Sequence, residues 1–205
     1  MTTSGASRER LLALLKQKSV FHGDFVLASG ARSSFYVDCK LATLDPAGAA
    51  LAGEVMFRMI CEFARKQHKR VVAVGGLTMG ADPLALAIGI QSIRSKHGPH
   101  FQVFSVRKSP KVHGQHKLIE GNFSPGDHVV VIDDVVTRGE STLKAIDVVE
   151  QSGGHVEFVA VLVDREEGGR DKIEARGYRV VSVFRRAEVL TENVSPTQQE
   201  NLAVA

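Results

Sequence analysis

The sequence predicts an α/β fold, a central and mostly parallel sheet flanked by helices, with a small helix-and-hairpin unit at the N-terminus. Three observations lead there. From Arg70 onward, short β-branched runs alternate with helical segments, the pattern of parallel strands buried on both faces. The residues able to do chemistry stand directly after those runs, where sheets of this kind bind their ligands. A chain of 205 residues, 43% hydrophobic and 24% charged, suits one globular domain.

The elements follow in order. "SRERLLALLKQK", Ser7 to Lys18, sets Leu11, Leu14 and Leu15 at helical spacing behind Ser7 as N-cap, which predicts an amphipathic helix. In "FVLASGARSSFYVD" two extended apolar segments, Phe25 to Leu27 and Phe35 to Val37, flank a small-residue turn at Ser29 to Ser34, a hairpin pattern. Pro46 suits the first turn of a helix running to about Gln67. Then come "RVVAV" before a helix from Ala81 to Ile93, "FQVFSV" before a loop, and "HVVVI" before a helix from Ser141 to Gln151. "VEFVAVLV" precedes a helix from Gly169 to Ala175, and "RVVSVF" closes the series. "TENVSPTQQENLAVA" has the composition of a frayed tail. The expected division is 1–45 for helix and hairpin, 46–191 for the sheet core and 192–205 for the tail.

Composition narrows the functional classes. No apolar run approaches the roughly 20 residues that span a bilayer, and "MTTSGASRER" lacks the apolar core of a secretory signal. A soluble cytoplasmic protein with no membrane partner is expected. Cys39 and Cys61 lack metal-ligand spacing and are expected to be free thiols. Net charge is only +3, so a nucleic-acid partner is not demanded. The charge is concentrated instead: "RKSPKVHGQHK", Arg107 to Lys117, holds four formal cations and two histidines with no acid.

Two segments point to a phosphate-bearing ligand. In "VGGLTMGADP", Gly75, Gly76 and Gly80 would let backbone amides approach an anion ahead of a helix N-terminus. A tight turn that simply needs glycine explains this stretch equally well, and neither GxGxxG nor GxxxxGK[ST] is present. "HVVVIDDVVTRGEST", His128 to Thr142, is more specific. A buried strand at Val129 to Ile132 would deliver Asp133 and Asp134 to the sheet edge, with Thr137 to Thr142 turning into a helix that has Ser141 or Thr142 near its N-cap. Hydroxyls and free amides there make a phosphate cradle, while the carboxylates suit vicinal sugar hydroxyls and Mg²⁺. Phosphoribosyl pyrophosphate satisfies both halves.

That stretch closely resembles the phosphoribosyl-pyrophosphate motif of type I phosphoribosyltransferases. The resemblance implies that Asp133 and Asp134 face the ribose hydroxyls and that Val135, Val136, Thr137, Arg138, Gly139, Glu140 and Ser141 surround the 5′-phosphate. "GGLTMGADP" stands in the place of the pyrophosphate loop, which adds Gly75, Gly76 and Thr78 to the donor site.

Three further segments resemble the orotate phosphoribosyltransferase family. "RKSPKVHGQ" is similar to its catalytic loop, implying catalytic roles for Arg107, Lys108, Lys111 and His113. "FVLASGARSSFYVD" resembles its N-terminal hood, and "VLVDREEGG" the strand end whose arginine, here Arg165, contacts the base; Phe35, Tyr36 and Thr137 complete the implied orotate site. The resemblance spans roughly Phe21 to Gly169. The family also implies Mg²⁺ held mainly by substrate and water, and a homodimer whose loops reach the neighbouring site. The chain departs from some members in having Ala28 before the hood Ser-Gly, and Thr78, Met79 and Gly80 where a lysine can stand. A phosphoribosyltransferase for another base, or a regulator of the same fold that senses phosphoribosyl pyrophosphate, remains the alternative.

Overall fold

Val129 and Val131 bury their side chains on one side of the central strand, Val130 and Ile132 on the other, and all four are fully shielded from solvent. That double burial is the fold's organising fact. The computed structural model describes residues 3–26, 32–96, 98–109 and 117–190. In chain order its elements are α1 (Thr3–Ser19), β1 (Val20–Val26), β2 (Arg32–Val37), α2 (Lys40–Thr43), α3 (Pro46–Lys66), β3 (Ala73–Leu77), α4 (Ala81–Arg94), β4 (Gln102–Val106) and β5 (Ile119–Gly121). They continue with β6 (His128–Val136), α5 (Glu140–Gln151), β7 (His155–Asp164), α6 (Gly169–Ala175), β8 (Val180–Arg185) and α7 (Arg186–Leu190).

The main sheet has the order β5-β4-β3-β6-β7-β8, parallel except for β5 at the edge. Successive strands are added in one direction from β3 through β4 to β5 and in the other from β6 through β7 to β8, so the crevice at the C-terminal ends of β3 and β6 is the topological switch point where such sheets bind ligands. One face carries α3, α4 and the wholly buried Leu11 and Leu15 of α1; the other carries α5 and Ile173 of α6. The N-terminal helix therefore shares the sheet's core. Asp45 caps α3 by accepting from the amides of Ala47 and Gly48 at 3.0 and 2.9 Å, with Pro46 at the first helical position.

β1 and β2 form a separate antiparallel hairpin. Leu27 and the expected turn at Ser29 to Ala31 lie outside the described residues, while Arg32 to Ser34 belong to β2. One capping expectation is corrected: Ser7 is buried inside α1, which starts a turn earlier. Gly139 is the N-cap of α5, and Ser141 and Thr142 sit near it in the first turn. Among the described residues, no helix is long and apolar enough to cross a membrane.

Candidate active site

The ladder between β3 and β6 ends at Gly75↔Val131, whereas β6 stays paired with β7 as far as Val136↔Asp164. Asp133 and Asp134 lie in the part of β6 beyond the β3 ladder. They are inside the strand, not past it, and only 6% and 5% exposed. Oδ2 of Asp133 accepts from the Thr142 hydroxyl at 2.7 Å, and Oδ1 accepts from the Asp134 amide at 3.1 Å. Asp134 Oδ1 accepts from the Val135 amide at 2.9 Å, but its buried Oδ2 has no hydrogen-bond partner among the described residues.

Burial raises the pKa of both carboxyls, and the charge of Asp134 adds to the rise at Asp133. Lys40 opposes the rise at Asp134. Its ammonium lies 2.9 Å from Asp38 Oδ1, a hydrogen bond that holds the Lys40 pKa above its ordinary value. The Cys39 thiol between them is pushed well up by burial, and by Asp134 and Asp38. An orphaned, buried carboxylate oxygen beside a second carboxylate is a site that lacks a donor or a cation.

β6 then turns into α5. Gly139 takes φ +83°, and a Cβ there would sit 3.0 Å from the Gly169 carbonyl oxygen. The turn packs on the β7–α6 connection, where the Gly169 amide donates to the Thr137 carbonyl at 2.9 Å. Asp133, Val135, Val136, Thr137, Gly139, Glu140, Ser141 and Thr142 line a small cleft at the start of α5. The first-turn N–H groups of a helix have no intrahelical acceptors and favour an anion. Arg138 is exposed and outside this lining.

Across the crevice stand Gly75 and Gly76. Both lie within β3, where a Cβ would meet the Phe104 and Ile132 carbonyl oxygens at 2.2 and 2.0 Å. Their bareness serves close strand packing, and the turn is Thr78 to Gly80. A Cβ at Gly80 would lie 2.5 Å from Asp134 Oδ1, so this turn abuts the aspartates directly. The Thr78–Met79 peptide is cis. Asp82, unremarked in the sequence, accepts from the hydroxyls of Thr78 and Ser105 at 2.6 Å each and ties the turn to β4.

Arg107 and Lys108 follow β4 beside that turn, since the Thr78 amide donates to the Val106 carbonyl at 2.8 Å. Arg107 Nη1 lies 3.6 Å from Glu120 Oε1, and the Lys108 carbonyl accepts from Lys144 Nζ at 2.7 Å. Lys111 and His113 lie outside the described residues.

Phe35 and Tyr36 face opposite sides of β2, as alternation requires. Phe35 is buried, with the guanidinium carbons of Arg165 and Arg186 at 4.9 and 4.8 Å from its ring centroid. Tyr36 is partly exposed between Phe21 and Phe25, with centroids 6.5 and 5.9 Å away. Arg165 is 5% exposed, with Nη2 2.6 Å from Glu167 Oε1, and its buried Nε has no hydrogen-bond partner among the described residues. Sequence reasoning passed over Thr142 as a carboxylate partner, as well as Lys40 and Arg186. The hydroxyl of Thr142 reads equally as a helix cap in the sequence, and the other two residues carry no motif.

A parallel sheet with an acidic pair and a glycine-initiated cradle at its switch point defines the class, a type I phosphoribosyltransferase. At 14% identity, adenine phosphoribosyl transferase from Trypanosoma brucei shares the fold, with a TM-score of 0.65 over 100% of this chain and 91% of that one. The orotate phosphoribosyltransferase of Aquifex aeolicus (strain VF5) is 43% identical over 186 residues, 89% of this chain and 97% of that protein. A crystal structure of Mycobacterium tuberculosis H37Rv orotate phosphoribosyltransferase in complex with 5-phospho-α-D-ribosyl 1-diphosphate is 37% identical, with a TM-score of 0.70 over 89% of this chain and 98% of that one. No protein-family model matches the chain. The chain belongs to the orotate phosphoribosyltransferase family.

Proposed function

We infer that this protein transfers the 5-phosphoribosyl group of phosphoribosyl pyrophosphate to N1 of orotate, forming orotidine 5′-monophosphate and pyrophosphate in pyrimidine synthesis. The observation that carries the reading is the buried Asp133–Asp134 pair, with its unpartnered oxygen, opening onto the cleft at the start of α5. The ribose hydroxyls donate to the carboxylates. The 5′-phosphate takes the amides and hydroxyls from Thr137 to Ser141, with Val135 and Val136 walling the cleft.

Displacement at the anomeric carbon builds positive charge on the ribose and negative charge on the departing pyrophosphate. Asp133 and Asp134 sit on the side that needs anions; Thr78, Arg107 and Lys108 sit at the strand ends facing the leaving group. By resemblance to the family loop, Lys111 neutralises the pyrophosphate and His113 holds a proton for it. Orotate enters against Arg165, whose free Nε is a donor for its carboxylate, with Phe35, Tyr36 and Thr137 framing the ring.

The carboxylate pair fits Mg²⁺ as an outer partner, through water or the sugar hydroxyls. When bound, the ion supplies charge neutralisation between the diol and the pyrophosphate. Among the described residues no group of three or more His, Cys, Asp or Glu converges as a cage. The protein works as a homodimer in the cytoplasm, each loop reaching the neighbour's site. Leu86, Ile90 and Ile93 support this, as each is more than half exposed and they share one stripe of α4.

The test is an absorbance assay of orotate consumption with Mg²⁺ and phosphoribosyl pyrophosphate, run beside uracil and hypoxanthine. Loss of orotate absorbance alone is expected. Turnover of another base with orotate untouched would overturn the assignment.

A further inference from the structure

The chemistry above leaves Arg186 unused, yet the fold brings it beside Arg165. β7 and β8 run parallel with Asp164 paired to Arg185. The next residue of each strand, Arg165 and Arg186, therefore leaves the C-terminal edge of the sheet side by side. Both turn onto one aromatic ring, with guanidinium carbons 4.9 and 4.8 Å from the Phe35 centroid. Two cations so placed lie within about 10 Å of each other, near one Debye length at physiological salt, and repel.

The acids of the neighbourhood are engaged by other groups. Glu167 pairs with Arg165 at 2.6 Å and Glu166 with Arg185 at 3.8 Å. Glu188 pairs with Arg8 and accepts from the Arg185 amide at 3.0 Å. Among the described residues, Arg186 has no acidic partner, and Nε of Arg165 is buried without an acceptor. Among the described residues two cations, the exposed Arg186 and the buried Arg165, thus meet at the Phe35 ring with one paired acid, Glu167.

We propose that Arg186 is a specificity-determining residue for the acceptor base: with Arg165 it sets a positive field that favours a pyrimidine carrying a carboxylate over a neutral one. It acts through Phe35 as well, because its guanidinium holds the ring that Arg165 also contacts. The proposal rests on the orotate reading above. Orotate differs from uracil by one carboxylate, so a second cation lowers the KM of the former and leaves the latter unaffected.

The experiment compares full-length wild type with Arg186→Gln and Arg186→Lys in steady-state kinetics, calorimetric titration of orotate and thermal unfolding. In Arg186→Gln the KM for orotate rises about tenfold, its dependence on salt flattens, and the KM for phosphoribosyl pyrophosphate and the Tm stay at wild-type values. Arg186→Lys, which keeps the charge, recovers part of the loss. An unchanged orotate KM in Arg186→Gln overturns the proposal, as does a loss shared equally by the donor KM and the Tm. A wild type that consumes another base and ignores orotate sinks the functional reading and this inference with it. An active wild type matched by Arg186→Gln sinks the inference alone.

Discussion

Asp134 holds a buried oxygen that finds no hydrogen-bond partner among the described residues, and the fold bears the cost. Because burial raises its pKa, the folded chain keeps a proton that the unfolded chain releases above the ordinary carboxylate range of about 4. Stability therefore falls as pH rises from that range through the raised pKa. Asp134→Asn keeps an oxygen for the Val135 amide and removes the charge. It should raise unfolding free energy at pH 8 by on the order of 1–3 kcal/mol, with the gain vanishing in acid, as thermal melts across pH would record. The same variant should bind phosphoribosyl pyrophosphate at least about tenfold more weakly in a calorimetric titration, since a charged acceptor is stronger than a neutral one. Lys111→Ala should lower kcat by roughly 10²-fold or more, as loss of a charge on a leaving group does, with Tm unchanged; an intact kcat removes the loop from the mechanism. The aspartates were legible in sequence because two acids at the end of a β-branched run have few structural uses. Thr142 was not, because a hydroxyl in a helix's first turn fits a cap as well as a carboxylate partner, and only Gly139 occupying the cap position decides between them.

β7, α6 and β8 are joined by one side chain. Arg170 donates from Nε to the buried Asp164 at 2.6 Å, from Nη1 to the Val180 carbonyl at 2.5 Å, and from Nη2 to the Ser182 hydroxyl at 3.0 Å. Replacing it with Met strands an almost wholly buried carboxylate, which should cost about 3–5 kcal/mol in urea unfolding and loosen the connection on which the Thr137–Gly139 turn rests. A variant of wild-type stability would show that Asp164 finds another partner. At this scale the sequence was informative where the pattern is long. The helix from Pro46 ends one residue short of the position expected, and four of the five parallel strands fall where their β-branched runs do, whereas β3 begins only at Ala73 and runs on through Gly75 and Gly76 to Leu77. The strand at His128 runs on through Val136, because β7 lies alongside and continues the ladder past the acids that seemed to end it. β5, α2 and α7, of three, four and five residues, are too short to carry a period and escaped notice.

For the whole molecule, the exposed stripe of Leu86, Ile90 and Ile93 is where a second copy of the chain should sit. Ile90→Glu should convert a dimer into a monomer in light scattering and lower activity in parallel; a monomeric wild type would refute the dimer. The expected separation of residues 1–45 from the sheet core is a statement about chain order, whereas Leu11, Leu15 and Phe35 take part in one core with the sheet, a closeness that periodicity alone does not convey. The assembly of the crevice has an evolutionary corollary. The aspartates and the anion cradle come from one unbroken stretch, His128 to Thr142, while the ring and arginines proposed for the base come from three separated places, Phe35, Arg165 and Arg186. A lineage of duplicated copies can therefore inherit the sugar-phosphate half whole and diverge in the base it accepts, one distant strand end at a time.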